Sequence, residues 1–241
     1  MAYLTTITGY IGLCIANCVF ALLVFVFAVF ERRGTLWWPM ARMWGKTIYA
    51  GAFSTISTQG FEGLKWGQPA ILMANHESYL DVPALIASCP ITLRFVARRE
   101  VFKVPIMGQA MWMTGQISID RSDREKSIQS LKAAASRIAN GCTVIMFPEG
   151  TRSADGELRE FKKGGFMLAI EAGVPIIPVG LSGTRDVVPR GSSQFHSASV
   201  GVCVGPAIET RDLTVEDRDA LMERVRAGIL VAREEASLLP R

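Results

Sequence analysis

The chain has 241 residues, 49% of them hydrophobic, and a formal net charge of +4. That length holds one sizeable domain plus an extra segment. The modest charge and the lack of a long Lys/Arg block exclude a nucleic-acid partner from the expectations. Five cysteines (Cys14, Cys18, Cys89, Cys142 and Cys203) form no CxxC pair and stand at no metal-ligand spacing from a histidine. They read as small buried hydrophobes in a reducing compartment, and no metal is expected.

The first element is apolar. No charged side chain occurs from Ala2 to Phe30, and about 20 apolar residues suffice to cross ~30 Å of hydrocarbon as a helix. Glu31-Arg32-Arg33 follows the run and no Lys or Arg precedes it, the reverse of a cleaved signal peptide. Those arginines favour retention of the following domain on the cytoplasmic side. Residues 35–52 carry Leu36, Trp37, Trp38, Met40, Met43, Trp44 and Ile48 among Arg42 and Lys46. This suits a helix in the headgroup region or the second arm of a membrane-embedded hairpin, with an amphipathic helix packed on the domain as the alternative. Residues 1–52 are thus expected to form a membrane helix or hairpin, and 53–241 a single domain.

Beyond residue 53 short apolar runs alternate with helical segments. Strands are expected at Ile71–Ala74, Leu93–Val96, Ile117–Ile119, Thr143–Phe147, Pro175–Leu181 and Ser199–Val204. Helices are expected around Pro83–Ser88, over Val104–Met113, from a Ser122–Glu125 capping box to Asn140-Gly141, over Gly164–Glu171, and from about Val215 to Glu235. Strands separated by 10–15-residue helical stretches predict an α/β fold with a mostly parallel sheet flanked by helices.

Asn75-His76-Glu77-Ser78-Tyr79-Leu80-Asp81 follows the first of these strands and holds one of only two histidines. A carboxylate bonded to one imidazole nitrogen fixes the tautomer and leaves the other nitrogen free as a base. A histidine bonded in the core or capping a helix explains the pair alone equally well. Three more clusters lie at strand ends, where an open α/β sheet builds its ligand crevice: Gly115 to Arg121, Phe147 to Ser153, and the proline-bracketed Val174 to Gly180. Arginine matches phosphate oxygens in pairs, so Arg121 and Arg152 near one histidine would bind a phosphate monoester. Surface ion pairs are the plainer account of each arginine alone, and a solvated face that of Arg98, Arg99, Lys103, Lys162 and Lys163. No G-x-S-x-G elbow occurs, and His196 has no acid at a useful spacing.

Taken together, NHESYLD, GQISIDR, FPEGTRS and VPIIPVGL resemble, in order and spacing, the four blocks of the lysophosphatidic acid acyltransferase (1-acylglycerol-3-phosphate O-acyltransferase) family over about residues 60 to 185. Ser118 departs from the bulky aromatic usual in the second block. The resemblance implies His76 as the general base on the acceptor hydroxyl and Asp81 as its orienting partner. It implies Arg121, Glu149, Gly150, Thr151 and Arg152 as substrate-binding residues, with Asn75 and Ser78 in support. It also implies transfer of an acyl group from acyl-CoA or acyl-carrier protein to the sn-2 hydroxyl of 1-acylglycerol 3-phosphate, with no covalent enzyme intermediate and no cofactor. The setting implied is the cytoplasmic face of the inner membrane. Another lyso-lipid as acceptor, or a non-catalytic protein that binds phospholipid or acyl-carrier protein, are the rival readings.

Overall fold

The computed structural model describes residues 2–31, 36–62, 68–105, 107–120, 122–153, 155–189 and 191–240. Among these, seven strands form one sheet in the order β1-β7-β6-β2-β5-β3-β4. The strands are β1 Thr55–Gln59, β2 Ile71–Ala74, β3 Arg94–Arg98, β4 Ile117–Ile119, β5 Val144–Met146, β6 Ile176–Ser182 and β7 Ser199–Val204. From β6 to β4 all neighbours are parallel. β7 runs antiparallel to β6, and β1 parallel to β7. The expected mostly parallel α/β sheet is present, with one antiparallel junction that the apolar pattern does not encode. Strand β1 is also absent from the sequence reading: TISTQ is polar and mostly exposed, so neither alternation nor an apolar run marks it.

Both faces of the sheet are covered, which explains the uninterrupted apolar runs of its inner strands. Along β2, Leu72 and Ala74 join one core cluster and Ile71 and Met73 the other. The first cluster packs under α3 (Trp38–Gly51) and α4 (Asp81–Ser88). The second packs under α6 (Arg124–Ala139), α7 (Gly164–Ala172) and α9 (Arg218–Leu238). Between β3 and β4 the helix expected over Val104–Met113 is present as α5, Met107–Met113, and a 3₁₀ turn that the sequence reading did not include, Arg99–Lys103, precedes it; Pro105, which cannot donate a helical N–H, lies between the two. At the start of α6 the cap is Asp123, which accepts from the Lys126 amide at 2.8 Å, not Ser122. The Ser122 amide is turned back onto Asp120 Oδ1 at 2.9 Å, which takes that residue out of the cap position.

At the N-terminus α1 (Ala2–Ile15), a π turn (Ala16–Phe20) and α2 (Ala21–Phe30) follow one another. Leu4–Phe27, with a hydropathy of 2.5, is the one helix among the described residues long and apolar enough to cross a membrane. Leu4, Ile7, Ile11, Ile15, Val19 and Leu22 are exposed along it. α3 returns beside α1: a Cβ on Gly12 would stand 3.2 Å from the Gly51 Cα, so the two backbones meet where neither carries a side chain. The Trp44 indole donates to Asn17 Oδ1 at 3.2 Å across the same junction. The other side of α3 is welded to the domain, with Tyr49 donating to the Leu80 carbonyl at 2.8 Å and Trp38 to the Cys89 carbonyl at 3.2 Å. Trp37 and Trp38 are buried. They pack in the core, as the alternative of an amphipathic helix laid on the domain expects.

Candidate active site

Strand β2 lies between β5 and β6, while the chain leaves it outward to β3 and β4 before returning. Its carboxyl end is therefore a switch point of the kind where α/β sheets open a crevice. Asn75, the first residue past β2, continues the ladder with its side chain. Its amide donates to the Leu181 carbonyl at 2.9 Å, and its Oδ1 accepts from the Leu181 amide at 2.7 Å. The same Nδ2 donates to Glu77 Oε1 at 3.0 Å, an oxygen that also pairs with Arg233 of α9 at 3.0 Å.

His76 is clamped by its backbone. Its amide donates to Glu149 Oε1 at 2.7 Å, and its carbonyl accepts from the Ser153 amide at 2.7 Å. Both partners belong to the FPEGTRS stretch, so the first and third sequence blocks are stitched at this residue. The ring stacks on Phe147, with centroids 3.9 Å apart and planes 16° from parallel. Nδ1 lies 2.7 Å from Asp81 Oδ2. Because an ionised carboxylate only accepts, the proton of this contact is assigned to Nδ1, which leaves Nε2 as the basic nitrogen. Asp81 Oδ2 also accepts from the amides of Glu77 at 2.7 Å and Ser78 at 2.9 Å. Asp81 is fully buried at the first turn of α4, where the helix dipole favours negative charge. Ser78 is buried and accepts from the Leu80 amide at 3.2 Å, which tightens the turn between His76 and Asp81.

His76 borders a cavity of about 370 Å³ whose polar wall includes Arg98, Gly150 and Lys162 and whose apolar wall includes Val96, Ile119, Leu131 and Met146. Arg98 and Lys162, which read from sequence as a solvated face, therefore border the crevice. Gly150 stands at φ 70°, and Thr151 is exposed beside it. Arg152 lies over the Tyr79 ring, its guanidinium carbon 3.4 Å from the centroid; Tyr79 belongs to the histidine loop and is 72% exposed. The guanidinium is thus brought to the same loop as the imidazole. Arg121 lies outside the described residues.

Glu149 takes a position different from an open substrate ligand. It is 2% exposed, with one oxygen on the His76 amide and the other on the Arg159 amide at 3.0 Å. Burial pushes its carboxyl above the ordinary range against the pull of those two amides. Glu77 is raised too, mainly by burial, with Arg233 opposing. Neither the Glu77–Arg233 pair nor the Asn75–Leu181 exchange is marked in the sequence, because each joins residues distant along the chain.

Residues 55–182 match the acyltransferase family model. Similar proteins include the chloroplastic 1-acyl-sn-glycerol-3-phosphate acyltransferase BAT2 of Brassica napus, 37% identical over 64% of this chain and 44% of that protein. The human 1-acyl-sn-glycerol-3-phosphate acyltransferase alpha is 33% identical over 76% of this chain and 65% of that protein. The chain thus spans about half to two thirds of the length of these relatives. The fold is shared with the crystal structure of the 1-acyl-sn-glycerophosphate acyltransferase PlsC of Thermotoga maritima, with a TM-score of 0.82, 24% identity, and coverage of 100% of this chain and 98% of that one. The chain belongs to the acyltransferase family.

Proposed function

We propose, from that membership, that the chain moves a fatty acyl group from acyl-CoA or acyl-carrier protein to the sn-2 hydroxyl of 1-acylglycerol 3-phosphate, giving phosphatidic acid. The observation that supports this most is the 2.7 Å contact of His76 Nδ1 with a buried carboxylate beside an open cavity. The acceptor hydroxyl gives its proton to His76 Nε2 while its oxygen attacks the thioester carbonyl carbon. Collapse of the tetrahedral adduct breaks the C–S bond, and the imidazolium returns the proton to the departing thiolate. Asp81 holds the tautomer and stabilises the imidazolium. The substrate itself is the nucleophile, so neither an acyl-enzyme nor a cofactor takes part.

Arg152 is the phosphate ligand in this reading, held broadside by Tyr79, with Arg121 as its expected companion; a planar fork of donors suits a phosphate monoester. The names of the relatives support the glycerol phosphate acceptor. The exposed apolar side of Leu4–Phe27 would keep the chain in the leaflet that holds that lipid, on the cytoplasmic face of an inner membrane. The test is acyl transfer by the purified full chain in detergent, with both donor classes and a panel of lyso-lipids. His76→Ala is expected to lower turnover by about 10²–10⁴-fold. Unchanged turnover removes the base assignment, and equal use of acceptors lacking a phosphate monoester removes the proposed acceptor.

A further inference from the structure

Only one of the two Asp81 oxygens serves the histidine loop. Oδ2 accepts from His76, Glu77 and Ser78, whereas Oδ1 accepts the hydroxyl of Thr184. Thr184, like Asp81, is fully buried. It opens α8 (Thr184–Val187) directly after β6. The turn that delivers it needs Gly183: φ is 81°, and a Cβ there would stand 2.2 Å from the Ser199 carbonyl oxygen. Since β6 pairs with β2, the turn after one strand lies beside the loop after the other. Thr184 falls outside the matched residues 55–182 and outside all four sequence blocks.

We propose that Thr184 is a positioning residue for the acyl transfer, its hydroxyl fixing the rotation of the Asp81 carboxylate so that Oδ2 faces His76 Nδ1. The inference rests on the function proposed above. A carboxylate turns about a broad, shallow torsion, and three donors on one oxygen leave the other to be fixed from elsewhere. The charged surroundings do not supply a substitute. Glu77 of the loop and Glu149 after β5 both oppose the negative charge of Asp81. Tyr49 of α3 spends its hydroxyl on the Leu80 carbonyl, and Arg233 of α9 pairs with Glu77. Without the threonine hydroxyl a buried anionic oxygen is left without a donor, a costly state. The carboxylate then rotates or takes up a proton, and Nδ1 loses its partner. The imidazole is released to the tautomer with hydrogen on Nε2, which cannot accept the substrate's proton.

The test uses the full chain in detergent with His196→Gln, so that His76 is the one imidazole left. Thr184→Val removes the donor at nearly constant shape, and Thr184→Ser keeps it. The Val variant is expected to lose about 10- to 10²-fold in kcat, as the loss of one buried hydrogen bond to a charged group allows. Its KM values for acceptor and donor stay within about twofold, since the substrate contacts survive. Its imidazole nitrogen-15 resonances are expected to leave the Nδ1-protonated pattern of the parent, while the Ser variant keeps both kcat and pattern. A folded Val variant with undiminished kcat, or with the parent's imidazole pattern, overturns the assignment. So does a Ser variant as impaired as the Val variant. Should Val fail to fold, Thr184→Ala is read against Ser by the same resonances. Should the parent transfer no acyl group, the proposed function falls while the imidazole comparison still decides the placement of Asp81.

Discussion

The two ends of the site are held in opposite ways. The histidine loop, at the centre of the sheet, is fixed by buried or half-buried bonds to three other parts of the chain: Asn75 to β6, His76 to the turn after β5, and Glu77 to α9. The second block lies on β4, the edge strand; its Asp120 pairs at 2.6 Å with the exposed Arg99, and just after it Asp123 pairs at 3.1 Å with the exposed Lys126. The carboxylates record the contrast. Burial raises Glu77 and Glu149 at the centre, whereas the Ser122 amide and Arg99 hold Asp120 at the edge well below the usual range. A proton-transfer pair needs sub-ångström placement, which only the interior supplies. At the outer rim Arg99 and Lys126 stay in contact with water, so their charges cost little to hold there.

Breaking the central end is expected to give the largest effect. Asp81→Asn keeps the shape but places an amide among donors, since the Glu77 and Ser78 amides and the Thr184 hydroxyl all point at it. His76 Nδ1 then faces a group with no negative charge. A fall in kcat of about 10²–10⁴-fold is expected, with KM for the acceptor little changed, measured by acyl transfer in detergent. Asn75→Ala comes next. It leaves the buried Leu181 amide and carbonyl and Glu77 Oε1 each short of a partner, and each such loss costs about 1–3 kcal/mol. Thermal unfolding should show the domain destabilised, with activity per folded molecule reduced as the loop loosens.

The central end was also the more legible from sequence. Ile71–Ala74 announces a strand buried on both faces, and the NHESYLD and FPEGTRS patterns pick out the residues that do meet at His76. What could not be read is what the tertiary fold alone brings together. Glu149 looks like a ligand beside Arg152, yet both its oxygens are taken by backbone amides, one of them from Arg159 on the far side of the turn. Thr184 and Arg233 carry no motif and reach the loop only because β6 and α9 pass beside β2. The polar strand β1 is invisible to hydrophobic periodicity for the same reason that it stands at an edge.

At the rim the contrast sharpens through Tyr79. Its ring has little buried area to lose, being largely exposed, and it contacts the guanidinium of Arg152. Tyr79→Ala removes an exposed cation–π contact of about 0.5–1 kcal/mol, so KM for lysophosphatidic acid is expected to rise about two- to fivefold with kcat nearly kept. Tyr79→Phe, which preserves the ring, should restore it. A loss in kcat with KM unchanged would move Tyr79 from the rim to the chemical end.

The smallest effect is expected from Asp120→Asn, and its value lies in its pH dependence. The folded carboxyl of Asp120 is depressed, so the stability it lends is present above its ordinary value of about 3.9 and is lost as the pH falls from there towards the depressed one. The raised carboxyls of Glu77 and Glu149 act with the opposite sign: their contribution is full below the ordinary value of about 4.3 and declines as the pH rises through the raised ones. Thermal unfolding of the parent and of Asp120→Asn should therefore differ slightly at neutral pH and converge in acid, since protonated Asp120 has given up the same charge as the asparagine. A gap that widens on acidification would mean that the Asp120 carboxyl is raised in the fold like those of Glu77 and Glu149, and the division between a buried centre and a solvated rim would not stand.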